Sequence, residues 1–215
     1  MHSHKIIYHP LFFSFYCLII LFCYFFVDQR TADFFHSHLS PSMHHFFKML
    51  TQLGRGEIYF VLLPAGFLFF RFICRRPQLA RAFLFLLAGL LIAAIICSIL
   101  KIAFSRARPY EWLHFKIYGF YFINQAIELK NHFPFLHLNT YFMSFPSGHA
   151  TNITALMAGL SCIKPRYSWF FILIAIMICA TRVILTDHYV SDVMAGFYLS
   201  LFCIEKLYHY YMRRT

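Results

Sequence analysis

The sequence predicts an all-α, polytopic membrane protein: six transmembrane helices in a single membrane domain, residues 1–215, with interfacial helices on the outer side. Three observations carry that prediction. Of the 215 residues 60% are hydrophobic and only 13% charged, a balance foreign to a soluble core of this size. Six apolar windows, near 8–27, 57–74, 82–104, 147–163, 167–185 and 189–211, have the length of about 17–23 residues that crosses a bilayer as helix. The charges between the windows also sort by sign from one side of the membrane to the other.

Lys5 precedes the first window, as in a signal peptide, but "VDQRTADFF" after it lacks a small-x-small cleavage site, so the window reads as an uncleaved anchor. In residues 40–54, Ser40 and Pro41 form an N-cap and first helical position, Gly54 a stop, and Met43, Phe46, Phe47 and Leu50 follow helical spacing. That stretch is expected to lie flat in the outer interface. Windows two and three are separated by Arg75, Arg76 and Arg81, with Arg71 able to snorkel to the same side, and windows four and five by Lys164 and Arg166. Residues 110–145 are aromatic but interrupted by Glu111, Asn124, Gln125, Glu128, Asn131 and Pro134, too polar to cross; they roof the outer side or anchor in the interface.

An even span count brings Lys5, Arg213 and Arg214 to the side of the arginine-rich loops, which the positive-inside rule makes cytoplasmic. Asp28, Asp33, Glu57, Glu111, Glu128, Asp187 and Asp192 then fall outside, and only Glu205 lies near the inner face. The net charge of +11 is therefore an orientation signal, with contact to anionic lipid, and not a nucleic-acid surface. The seven cysteines lie in or beside apolar runs without zinc spacing and read as reduced packing residues. No repeat or second domain interrupts the chain, and no oligomeric state is assigned.

Three polar clusters break the apolar pattern, and the span count puts all three on the outer side: "KIAFSRARP" at 101–109, "PSGH" at 146–149 and "TRVILTDHYVSD" at 181–192. Lys101, Arg108 and Arg182 crowd three cations into a partly dry region, an arrangement that needs an anion; a phosphate dianion suits arginine's planar fork. Pro109 disfavours helix at Arg108, and the amides of Ser147 and Gly148 at a helix start complete an oxyanion cradle. His188 and Asp192, four apart, share one helix face, so the carboxylate orients the ring and frees its other nitrogen to attack. His149 is then the general acid for the leaving alkoxide. Histidines 36, 38, 44 and 45 have no acidic partners at ligand spacing and read as interfacial polar residues.

These clusters resemble the signature of the type 2 phosphatidic acid phosphatases: Lys-x6-Arg-Pro, then Pro-Ser-Gly-His, then Ser-Arg-x5-His-x3-Asp. Here they read Lys101 to Pro109, Pro146 to His149, and Thr181-Arg182 to His188 to Asp192, with every spacing kept and a threonine at the usual serine. The wider superfamily also holds soluble acid phosphatases and vanadium haloperoxidases, which the apolar windows exclude. The resemblance implies a catalytic core over about 98–211, a phosphohistidine on His188 and a leaving group protonated by His149. It implies phosphate held by Lys101, Arg108, Ser147, Gly148 and Arg182, with no metal and no cofactor. The expected activity is a lipid phosphatase of a bacterial inner membrane, its site facing the periplasm and both termini cytoplasmic. Undecaprenyl diphosphate, phosphatidylglycerophosphate, phosphatidic acid and lipid A phosphates all fit as substrates. A phosphotransferase sharing the intermediate, and a non-catalytic lipid-binding or transport protein, are the alternatives.

Overall fold

The computed structural model describes residues 9–121 and 142–211, and the expected roof over 110–145, like Lys5, Arg213 and Arg214, falls largely or wholly outside them. Proline opens four of the described helices at the first position, where its missing N–H leaves nothing unsatisfied: α1 (Pro10–Phe22), α3 (Pro41–Leu50), α5 (Pro77–Phe104) and α6 (Pro109–Phe115). Between and after them run α2 (Asp28–His38), α4 (Gly56–Leu68), α7 (Gly148–Ile163), α8 (Ser168–Ile184) and α9 (Val190–Tyr211). Ser40 and Ser147 are side-chain caps, accepting from the backbone N–H of Met43 at 3.4 Å and of Ala150 at 3.5 Å.

Four helical stretches are long and apolar enough to cross a membrane: Pro10–His38, Pro41–Ile73, Pro77–Phe104 and Pro165–Ile184. Of the remaining two expected spans, α7 has only 16 residues and α9 carries Asp192, Glu205 and Lys206. The first stretch departs from the expected boundary at residue 27. A π-helical turn over Cys23–Val27 leads without a break into α2, so the helix continues through Asp28 to His38. Asp28, expected on the outer side, is buried within the protein at 1% exposure, where Arg106 from another segment meets it.

The core forms around α7, which packs against α5, α8 and α9. Phe85, Leu90 and Ala93 of α5, Ala150, Ile153 and Leu156 of α7, Ile178 of α8 and Ile204 of α9 are its buried centre. Small residues set the helix spacing, as in membrane bundles generally. At Gly159 a Cβ would stand 2.5 Å from Leu86 Cδ2, and at Gly196 it would stand 2.7 Å from the carbonyl oxygen of Ser147. The second contact fixes α9 against the start of α7, where two of the polar clusters meet.

Candidate active site

All eight residues singled out in the sequence lie at helix ends around this junction. Lys101 is in the last turn of α5, Arg108 caps α6, and Ser147 caps α7 ahead of Gly148 and His149. Arg182 is in the last turn of α8, His188 in the turn that follows, and Asp192 in the first turn of α9. A Cβ on Gly148 would meet Lys101 Cε at 3.7 Å; the Ser147 N–H donates to the Asp192 carbonyl at 3.0 Å; the His188 N–H donates to the Arg182 carbonyl at 3.2 Å. Segments from four helices thus share one junction.

The cations are close enough together for Arg108, Lys101 and Arg182 all to act on His188. Lys101 Nζ donates to the Met143 carbonyl at 2.6 Å, and Arg108 to the Asp187 carbonyl at 3.5 Å. Burial pulls the Arg108 guanidinium below its ordinary range, with Asp187 and Asp192 offsetting part of that. The Nε–H groups of Arg108 and Arg182 are buried without a partner among the described residues. Unsatisfied buried donors on two neighbouring cations are what an oxyanion would satisfy.

His188 is 3% exposed. Burial foremost, and then the three cations, hold its imidazole well below the usual histidine range against the pull of Asp192, so the ring is neutral near pH 7. Its Nδ1 lies 3.7 Å from Asp192 Oδ2, an ion-pair distance too long for a hydrogen bond. The Ser144 hydroxyl fills the gap: it donates to Asp192 Oδ2 at 2.5 Å and stands 3.4 Å from Nδ1. Asp192 also accepts from the Tyr189 N–H at 3.0 Å, the reach-back half of a capping box. With Nδ1 on the carboxylate side, Nε2 is the nitrogen available to a phosphorus atom.

One expectation changes. The Ser147 amide does not point into an anion cradle, because the close approach of α9 at Gly196 commits it to the Asp192 carbonyl; the amides of the first turn beyond it remain. Asp187 pairs with Arg182 at 3.0 Å, while Thr51 accepts from the same guanidinium at 3.1 Å. Asp187 is thus a counter-charge on Arg182.

The sequence reading missed a second tier of residues. Arg106, fully buried, donates to Asp192 Oδ1 at 2.5 Å, to Ser191 Oγ at 2.6 Å and to Asp28 Oδ2 at 2.8 Å. Four rings surround its guanidinium: Tyr189 at 4.4 Å, Tyr24 at 4.9 Å, Phe120 at 5.1 Å and Tyr118 at 5.5 Å. Asp28 was the available clue, since a carboxylate inside an apolar helix calls for a partner.

Three adjoining cavities lead outward. A polar bowl of about 410 Å³ is walled by His149, Arg182, Thr51, Asp187, Lys48 and Arg55. It shares His44 and Leu185 with a cavity of about 390 Å³ under the α2–α3 corner. That cavity shares Phe35 with an apolar groove of about 480 Å³ between α1, α8 and α9, walled by Tyr16, Ile176, Ala180, Met194 and Phe197.

Among known proteins the fold is similar to the crystal structure of a transmembrane PAP2-type phosphatidylglycerolphosphate phosphatase from Bacillus subtilis. The TM-score is 0.68 at 19% identity, covering 100% of this chain and 98% of that one. By sequence the chain is similar to lipid A 1-phosphatases of Rhizobium etli (37% identical over 112 residues) and Rhizobium johnstonii (38% over 104). These matches take in 52% and 48% of this chain but only 43% and 37% of those proteins. The model of the PAP2 superfamily matches residues 82–215, which include every residue of the junction except Thr51 and Asp28, and the chain belongs to that superfamily.

Proposed function

We propose that the protein is a membrane phosphatase that removes phosphate from a lipid phosphate or diphosphate through a phosphohistidine on His188, without a metal. The observation that carries this reading is the neutral, carboxylate-backed His188 set among three cations, two of which, Arg108 and Arg182, keep a buried donor without a partner among the described residues. Lys101, Arg108 and Arg182 hold the phosphoryl oxygens, joined by the Ser147 hydroxyl and the Gly148 amide. The Nε2 lone pair attacks phosphorus; the bond to the lipid oxygen breaks, and that oxygen takes a proton from His149. Water then attacks phosphorus, giving its proton to His149, and the N–P electron pair returns to Nε2. The groove and bowl, apolar at one end and cationic at the other, match an amphiphile with an anionic head. The activity for which the Rhizobium relatives are named makes a lipid A phosphate the first substrate to try.

The proposed topology has six spans, α7 and α9 completing the set, with residues 28–56, 105–145 and 183–188 on the periplasmic side of an inner membrane and both termini in the cytoplasm. A radiolabelled panel of lipid A, undecaprenyl diphosphate, phosphatidylglycerophosphate and phosphatidic acid, incubated with purified protein in EDTA, tests the chemistry. Release of inorganic phosphate from at least one lipid is expected, with label trapped on the protein by an alkaline detergent quench, in which a phosphoramidate survives, and absent from His188→Ala. Turnover that EDTA abolishes and magnesium restores, or equal trapping in His188→Ala, overturns the reading.

A further inference from the structure

The signature motifs account for His188 and Asp192 but not for the ion cluster beneath them. Asp28 lies in the first apolar stretch, 78 residues from Arg106 and 163 from Ser191 in sequence, and its side chain is completely buried. It accepts from Arg106 at 2.8 Å, from the Ser191 N–H at 3.0 Å and from the Ser191 hydroxyl. A carboxyl that accepts from several donors in this way is ionised. Its bond to Ser191 N–H also caps α9 from another helix, favourable for an anion at a helix start.

Buried ion clusters are weak evidence for stability, since apolar residues of equal volume often do as well, and ionisable groups inside a membrane are functional by default. Charge arithmetic says what this one does. Arg106 alone beside Asp192 would form a neutral pair, and a neutral pair offers little to a histidine that becomes cationic when Nε2 bonds to phosphorus. With Asp28 added, the cluster of two carboxylates and one guanidinium keeps one negative charge, transmitted to the ring by Asp192 and Ser144.

We propose that Arg106 and Asp28 are positioning residues of the reaction at His188: Arg106 clamps Asp192, and Asp28 cancels the charge of that clamp so the carboxylate retains its pull on the phosphorylated ring. The proposal rests on the phosphohistidine reading above. One consequence is that the first helix, outside the family signature, sets the rate of the chemical step.

Steady-state kinetics of Asp28→Asn and the double variant Asp28→Asn/Arg106→Gln, with dioctanoyl phosphatidic acid in detergent, test it. A unit charge removed two ion-pair contacts from the ring is worth on the order of tenfold or more in rate at an effective dielectric near 20, so kcat of Asp28→Asn is expected to fall by at least about tenfold with KM within about twofold. The double variant, which returns the cluster to one negative charge, is expected to regain about tenfold over Asp28→Asn. A purely structural role predicts the opposite, because the double variant loses more contacts. Where Asp28→Asn does not extract folded, Asp28→Glu against the isosteric Asp28→Gln makes the same comparison, the charged variant being the faster. Wild-type turnover undisturbed in Asp28→Asn, or no recovery in the double variant, overturns the proposal while leaving the phosphatase reading intact. Should the wild type not turn over phosphatidic acid, the comparison is made with whichever lipid of the panel it does turn over; absence of wild-type turnover on all four is the failure of that reading, and this inference falls with it.

Discussion

Glu111, at the third position of α6, has a fully buried side chain with neither carboxylate oxygen hydrogen-bonded among the described residues. Burial pushes its carboxyl up to about 7, with the first-turn amides and Arg108 pulling only partly the other way. A carboxyl raised in this way binds a proton in the folded state that the unfolded chain has already lost. The contribution of Glu111 to stability is therefore fully present at acid pH and is lost as pH climbs from about 4.5 to about 7, by on the order of 3 kcal/mol at most. Glu111→Gln mimics the protonated form. Its thermal midpoint in detergent is expected to exceed the wild type's by several degrees at pH 8 and by little at pH 5; an equal difference at both would show that the carboxyl titrates normally. The pair His188 and Asp192 was legible from four-residue spacing alone, whereas Glu111 was not, because nothing in its neighbours foretells complete burial.

At the scale of elements, the site depends on how closely α9 approaches the first turn of α7. The Cβ of Gly196→Ala would stand 2.7 Å from the Ser147 carbonyl oxygen and 2.9 Å from Thr151 Oγ1, and backbone cannot turn aside as a side chain can. The helices must separate, at about 1–3 kcal/mol for overpacking of this kind, and the 3.0 Å bond between Ser147 and Asp192 is the first to lengthen. Gly196→Ala is expected to lose at least about tenfold in kcat, since displacements near 1 Å are felt in reaction geometry. Gly56→Ala is the control: its Cβ meets the end of the Asn152 side chain and, at 3.3 Å, the edge of the Phe60 ring, side-chain atoms that can shift where backbone cannot. Equal activity in the two variants would mean that the α7–α9 spacing does not position the site. The predicted start of α3 at Ser40 and Pro41 was met as its capping chemistry requires, while the end of the first helix was not, since it depends on Arg106.

For the whole molecule, the three adjoining cavities run from the apolar groove to the bowl at Arg182 and His149, the route that the proposed lipid phosphate would take. Ala180 is exposed on the wall of the apolar groove and away from every cation of the site, so Ala180→Trp fills the groove without touching the chemistry. KM for a lipid phosphate with long acyl chains is expected to rise by about fivefold or more, the worth of one or more buried methylenes, with kcat/KM for p-nitrophenyl phosphate unchanged. Unchanged kinetics with the long-chain lipid would assign the groove to bulk bilayer lipid.

The sequence by itself determined the apolar helices, the three polar clusters and the pairing of His188 with Asp192, because these follow from periodicity and spacing within a few turns of one chain segment. Only the tertiary structure decided that Ser144 bridges that pair, that Asp187 and Thr51 hold Arg182, that the Ser147 amide is taken, and that Asp28 answers Arg106. The reason is the range over which each is fixed. A helix face is set by residues three and four apart, but a buried charge is stable only where packing brings its counter-charge, and here Arg106 finds its counter-charges 78 residues away in Asp28 and 86 away in Asp192.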